Sequence, residues 1–175
     1  MSLIAYNINI IKILLSVFLT GFVIKMLDDY TDEEFDKLVG SPNITVVLGT
    51  GIISYAILFF SLACVLNVEI SVSLFLASFS LGMTGNLFVK MPSGLKGYQE
   101  SLLTTVLGII LFKRQMVAAL LLMSSVHLLD DYFDYDNEAF SKKNWAFVLG
   151  KVECFLVAAI FFLMSLLIDH LMALS

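Results

Sequence analysis

The sequence predicts an all-α fold, a polytopic transmembrane helical bundle of about six helices with an internal repeat. Apolar residues make up 59% of the chain and charged residues only 14%, and the mean hydropathy is +0.95, whereas soluble proteins carry roughly 25% charged residues. Several apolar stretches approach the ~20 residues that a helix needs to cross about 30 Å of hydrocarbon. We expect them all to be helical, because an isolated strand cannot satisfy its backbone in lipid.

Six apolar segments account for the predicted bundle, which we treat as a single membrane domain over residues 1–175. In chain order they are 8–26, 44–66, 71–89, 98–112, 115–129 and 145–168. Pro92 and Gly94 predict a loop over residues 90–97. The fourth and fifth segments are short, since 15 helical residues extend over only about 22 Å. We therefore expect these two to span poorly or to rely on charged ends that reach the membrane surface.

The repeat is predicted from two acidic clusters, residues 28–36 and 130–138. They share the pattern D-D-Y-x-D-x-x-x-[D/E], lie 102 positions apart and contain 11 of the 15 acidic residues. Each directly follows an apolar segment, and each is followed by a polar loop and then by V-L-G, which ends at Gly49 and at Gly150. The predicted copies are residues 10–66 and residues 115–168.

Carboxylates at this density repel one another unless a cation lies between them. If each cluster prolongs its helix, Asp29, Asp32 and Asp36 stand at i, i+3 and i+7, a spacing that destabilises a helix when the charges are alike. Clustered carboxylate oxygens are ligands that Mg²⁺ prefers, so we predict a Mg²⁺ site; a solvated acidic loop is the alternative. The predicted ligands are Asp28, Asp29, Asp32, Asp36, Asp130, Asp131, Asp134 and Glu138.

The chemistry of Mg²⁺ also suggests a substrate. The ion usually keeps waters and accepts phosphate oxygens, while apolar helices beneath the clusters could receive a hydrocarbon tail, so the pattern favours a prenyl diphosphate. The sequence contains no basic stripe and a single arginine, which argues against nucleic-acid binding. Lysines near the clusters and the tyrosines that follow the paired aspartates are candidates for substrate binding, although such tyrosines are also common at membrane interfaces. These candidates are Lys37, Lys142, Lys143, Tyr30 and Tyr132.

The two clusters resemble the motifs of the UbiA superfamily of intramembrane prenyltransferases. Residues 28–36 are similar to its first motif, [N/D]-D-x-x-D-x-x-x-D, and residues 130–138 to its second, while residues 145–150 are similar to the T-L-P-V-x-L-G stretch that follows. The resemblance implies Mg²⁺-dependent ionisation of a prenyl diphosphate and attack by a membrane-soluble or aromatic acceptor. The catalytic aspartates that it implies are Asp29, Asp32, Asp131 and Asp134.

Counting the crossings puts both clusters and the 90–97 loop on one side of the membrane. That side holds most of the lysines, so the rule that positive loops stay inside predicts that the acidic motifs face the cytoplasm. Two other functions stay open: a divalent-cation transporter or channel, and a non-catalytic subunit of a larger membrane complex. A homo-oligomer is a further alternative.

Overall fold

The computed structural model describes residues 3–40, 43–136 and 144–174, and in these residues the chain is all-α, as predicted. Short 3₁₀ turns lie at Gly49–Gly51, Met83–Asn86 and Asp134–Asp136. The α-helices are, in chain order, α1 (Leu3–Thr31), α2 (Glu33–Val39), α3 (Thr45–Leu48), α4 (Ile52–Leu66), α5 (Val68–Gly82), α6 (Gly97–Phe112), α7 (Arg114–Phe133), α8 (Trp145–Leu149), α9 (Lys151–Ile168) and α10 (His170–Ala173).

Helical segments long and apolar enough to cross a membrane number five within the described residues. They are Tyr6–Thr31, Thr45–Leu66, Val68–Asn86, Arg114–Phe133 and Lys151–Ile168. Helix α6 has 16 residues, about 24 Å, so the prediction of a short fourth segment is confirmed. The prediction that segment 115–129 is also short was wrong, because α7 has 20 residues and continues to Phe133, within the second acidic cluster.

The described residues fall into two compact units, and the first ends at Phe75. Its main contact is between α1 and α4, where Val23 and Met26 pack on Ile52 and Ala56. Near the middle of α1, the fully buried Ser16 hydroxyl lies 2.7 Å from that of Ser71, in the first turn of α5. Such hydroxyl pairs help to hold helices together where no water competes for them.

The second unit, Leu76–Leu174, is built mainly on the contact between α7 and α9. Leu128 packs against the small buried residues Ala146, Cys154 and Ala158, which allow the helices to approach closely. The Ser125 hydroxyl donates a hydrogen bond of 2.8 Å to the Ala158 carbonyl across this contact. The Ser125 hydroxyl is thus satisfied by a neighbouring helix, which suits a membrane interior, where no water is present to accept the bond.

Helix α6 begins after a short turn in which Lys90 and Lys96 form an isolated antiparallel bridge. Gly97 is buried where a side chain would meet the Asn86 carbonyl. Further along, Gly108 faces Met116 of α7, and a Cβ there would lie 2.6 Å from the Met116 sulfur. Both glycines therefore permit close packing around α6.

The helix ends of the two predicted copies correspond residue by residue. Thr31 and Phe133 end α1 and α7, and Leu66 and Ile168 end α4 and α9, at the same separation of 102 positions in both cases. Gly49 and Gly150 have φ of 52° and 102° and precede α4 and α9, a backbone conformation that glycine adopts without strain.

The helices that follow the two copies, α5 and α10, also begin in the same way. Asn67 and Asp169 have extended backbones, with φ and ψ of −157° and 99° for Asn67 and of −142° and 96° for Asp169. The Asn67 side-chain oxygen accepts a hydrogen bond from the Ile70 amide, and that of Asp169 accepts from Leu171 and Met172. These side chains satisfy amides that a helix start leaves without an internal partner, and the correspondence is what an internal repeat requires.

Candidate functional site

The first acidic cluster continues the helical path of α1 beyond the apolar segment. The Asp32 amide donates to the Asp28 carbonyl and the Asp36 amide to the Asp32 carbonyl, each at 2.9 Å. Asp28, Asp32 and Asp36 are therefore one turn apart along the chain. Asp28 and Asp32 are exposed and Asp36 is half-buried, which keeps at least two carboxylates of this helix end in contact with solvent.

Asp29 differs from its neighbours, because its side chain is only 7% exposed. One carboxylate oxygen lies 2.9 Å from the Lys25 ammonium group, one turn back. The other accepts a hydrogen bond of 2.9 Å from the Ile44 amide. The sequence placed Asp29 on one face with Asp32 and Asp36; in the structure, protein groups occupy both of its carboxylate oxygens.

Asn43 joins the end of α1 to the start of α3. Its side-chain amide donates to the Asp29 carbonyl at 2.7 Å and to the Asp36 carboxylate at 2.6 Å. Its side-chain oxygen accepts from the Thr45 amide at 2.7 Å. One side chain thereby satisfies a carbonyl at one helix end and an amide at the next helix start, both of which lack partners inside their own helices.

The second acidic cluster shows the same arrangement. The Asp131 carboxylate accepts from the Trp145 amide at 2.9 Å. Asn144 donates to the Asp131 carbonyl at 2.9 Å and accepts from the Ala146 amide at 2.8 Å. We call each set of three bonds an Asp–Asn clasp: Asp29 with Asn43 in the first copy and Asp131 with Asn144 in the second.

Around the second clasp, the remaining aspartates again lie one turn apart. The Asp134 amide donates to the Asp130 carbonyl, and Asp130 is exposed while Asp134 is half-buried. The predicted ligand Glu138 and the predicted substrate-binding residues Lys142 and Lys143 lie outside the described residues.

The other predicted substrate-binding residues have different surroundings. Lys37 lies 2.5 Å from Glu33, one turn earlier on α2. Tyr30 is 48% exposed, whereas Tyr132, its counterpart in the repeat, is half-buried against Phe155, with ring centroids 5.5 Å apart. The two tyrosines are thus equivalent in sequence but not in contacts.

A cationic group near the second cluster was not singled out in the sequence. The Lys151 ammonium lies 5.6 Å from the centre of the Tyr132 ring and 5.0 Å from that of Tyr135, within the range of cation–π attraction. Lys151 is the first residue of α9, so it follows Gly150 directly and brings a positive charge to the end of the acidic helix.

The donor set of each helix end suits a hard cation. Within either unit, the described Asp, Glu, His and Cys side chains form no group of three that could hold a metal ion. Mg²⁺ does not need such a cage, because it binds through one or two carboxylates together with water and phosphate oxygens. Asp28 with Asp32, and Asp130 with Asp134, each offer two carboxylates one turn apart along the chain, which is the number of protein carboxylates that Mg²⁺ commonly uses beside water and phosphate oxygens.

Asn43 and Asn144 are the residues that sequence reasoning missed. The available signal was positional, since each asparagine precedes the glycine of V-L-G by six residues. Asn43 follows Asp29 by 14 residues and Asn144 follows Asp131 by 13, and this difference of one residue concealed the match.

The fold defines the chain as a helical membrane protein, with five candidate spans among the described residues. Compared with models of protein families, with curated proteins and with solved structures, the chain matches none. Its likeness to intramembrane prenyltransferases therefore depends on the short sequence motifs alone, which are the two acidic clusters and residues 145–150.

Proposed function

We propose that this protein is a Mg²⁺-dependent intramembrane prenyltransferase-like enzyme that binds a prenyl diphosphate through its two acidic helix ends. The observation that supports it best is the duplicated helix end. In each copy, one aspartate is used by the clasp, and two further aspartates lie one turn apart beside it. A solvated acidic loop would not require the same three hydrogen bonds twice.

Each group of residues has a role in this proposal. Asp28, Asp32, Asp130 and Asp134 would hold Mg²⁺, which supplies positive charge for the diphosphate leaving group. The apolar helices beneath would receive the prenyl tail, because their exposed side chains are largely apolar. The bond between the prenyl carbon and the diphosphate oxygen breaks, and pyrophosphate leaves with the bonding electron pair. The acceptor then forms a bond to that carbon and gives up a proton to water. Lys151 is close enough to the second helix end to offset the charge of a bound phosphate.

The proposed orientation has both acidic ends facing the cytoplasm. Lys25 and Lys37 lie near the first acidic cluster, and Lys90 and Lys96 lie in the turn before α6. An excess of lysine is typical of cytoplasmic loops. This orientation requires α6 to cross the membrane although it is about 6 Å shorter than the hydrocarbon layer. Local thinning of the bilayer and flanking charged residues can compensate for such a mismatch.

The test is turnover of allylic prenyl diphosphates by the purified protein in lipid nanodiscs, with release of inorganic pyrophosphate as the readout. We expect Mg²⁺-dependent release that Asp32→Asn and Asp134→Asn each abolish. Glu69→Gln is the matched control, because Glu69 is an exposed carboxylate in the first turn of α5 and belongs to neither acidic cluster. Full activity of both aspartate variants would overturn the proposal, and divalent-cation flux in liposomes without prenyl diphosphate would favour a transporter instead.

A further inference from the structure

We propose that Asn43 and Asn144 are positioning residues, which orient the metal-binding carboxylates of the two acidic helix ends. The inference rests on the function proposed above and assigns to it two residues that carry no charge. Neither asparagine would touch the cation or the substrate. Each would act through the aspartate whose carbonyl it binds.

The clasp fixes how each acidic helix is rotated about its own axis. Asn43 holds the main-chain carbonyl of Asp29, and the Ile44 amide holds its carboxylate. With both groups of one residue tied to the next helix, the helix end cannot turn about its axis. Successive helical residues are about 100° apart, so an inward Asp29 turns the adjacent Asp28 away from the clasp.

The hydrogen bonds of the clasp are the same in both copies although the residues around them differ. The amide that meets the aspartate carboxylate belongs to Ile44 in one copy and to Trp145 in the other. Lys25 pairs with Asp29, whereas His127 occupies the corresponding position before Asp131. The donor–acceptor distances of the asparagine hydrogen bonds nevertheless agree within 0.2 Å between the copies. The asparagine and the aspartate are therefore the residues that both clasps have in common.

Asn43 and Asn144 differ from an asparagine that only caps a helix. Asn67 also accepts an amide hydrogen bond at a helix start, from Ile70. Among the described residues, the Asn67 side chain makes no donation to an aspartate carbonyl of the kind that Asn43 and Asn144 make. Replacing asparagine by serine keeps an oxygen suited to capping, but the shorter side chain does not reach that carbonyl. Serine substitution therefore removes the bridge and leaves the cap.

The experiment measures Mn²⁺ binding by electron paramagnetic resonance, with inorganic pyrophosphate present, in the full-length protein in nanodiscs. We expect Asn43→Ser and Asn144→Ser each to weaken Mn²⁺ binding about tenfold, as loss of a residue that orients a metal ligand commonly does. Asn67→Ser should bind Mn²⁺ like the wild type. Thermal unfolding of all three variants shows whether they fold, and Asn43→Asp and Asn144→Asp replace any serine variant that does not.

Each outcome has one meaning. Unchanged Mn²⁺ affinity in the Asn43 and Asn144 variants overturns the positioning role while the proposed function stands. Equal weakening in Asn67→Ser also overturns it, since general loss of stability would then explain the result. A wild-type protein that binds no Mn²⁺, or whose binding survives Asp32→Asn and Asp134→Asn together, overturns the proposed function and the positioning role with it.

Discussion

Trp145 donates its main-chain amide to the carboxylate of Asp131 at 2.9 Å, and Ile44 donates to Asp29 at the same distance in the first half of the chain. A carboxylate in this position closes the polar loop between two apolar helices. It also supplies an acceptor for an amide that would otherwise lie unsatisfied at a helix start. The inward aspartate of each D-D pair is thus part of the architecture, and the outward one remains open to solvent.

The first prediction concerns this difference within one pair. Asp29→Ala leaves the Ile44 amide without its acceptor and removes the nearer of the two carboxylates that pair with Lys25, so we expect a loss of about 1–3 kcal/mol in the free energy of unfolding. Asp28→Ala should change it by less than about 0.5 kcal/mol, because the Asp28 side chain is 54% exposed. Unfolding of each variant in mixed micelles, followed by circular dichroism, measures both values. Equal losses would show that Asp29 has no special structural role.

A second prediction concerns the packing of α6. Gly97→Ala should destabilise more than Gly108→Ala, because the added methyl group of the first meets the main-chain carbonyl of Asn86 and that of the second meets a Met116 side chain. We expect about 1–3 kcal/mol for Gly108→Ala, and Met116→Ala in the same chain should recover part of it. Gly21→Ala is the control, since nothing lies within 4 Å of a Cβ there. Thermal unfolding ranks the four variants.

The fold class and most of the helix positions could be predicted because hydropathy alone sets where a chain can enter lipid. The helix ends could not, since the polar residues that follow an apolar segment do not have to end a helix. The first apolar segment was predicted to end at Met26, with extension of its helix into the acidic cluster left as a condition, and α1 continues to Thr31. The main-chain bond from Asp32 to Asp28 extends the helical path into the acidic cluster.

The sequence also predicted that the two acidic helix ends are alike. It did not predict which of the two adjacent aspartates at each end turns inward. Adjacent aspartates are identical in composition and spacing, and only the packing of α1 against α4 decides which of Asp28 and Asp29 turns inward. Asn43 was equally hidden, because its partner lies 14 residues earlier in the chain. Neither contact follows from a local pattern.

The third prediction tests whether α6 crosses the membrane. In a background with Cys64 and Cys154 replaced by alanine, single cysteines at Ser93 and Lys113 should react with an impermeant maleimide from opposite sides of sealed vesicles. Glu34→Cys should react from the same side as Ser93→Cys. Labelling of Ser93→Cys and Lys113→Cys from one side would show that α6 returns to the surface where it began, and the shared orientation of the acidic ends would then be wrong.

The last prediction concerns the cation at the second acidic end. Lys151→Met removes the charge that lies over the rings of Tyr132 and Tyr135, and we expect a loss of about 0.5–1 kcal/mol in the free energy of unfolding. Tyr132→Phe keeps an aromatic face for the ammonium group and should stay close to the wild type. Tyr132→Leu removes that face and the ring contact with Phe155, so it should also destabilise the protein. Lys96→Met is the control for loss of a lysine charge at an exposed site. Denaturation followed by fluorescence of Trp145, the only tryptophan in the chain, measures all four variants. If Tyr132→Leu and Lys151→Met are additive in the double variant, the ring and the ammonium group do not interact.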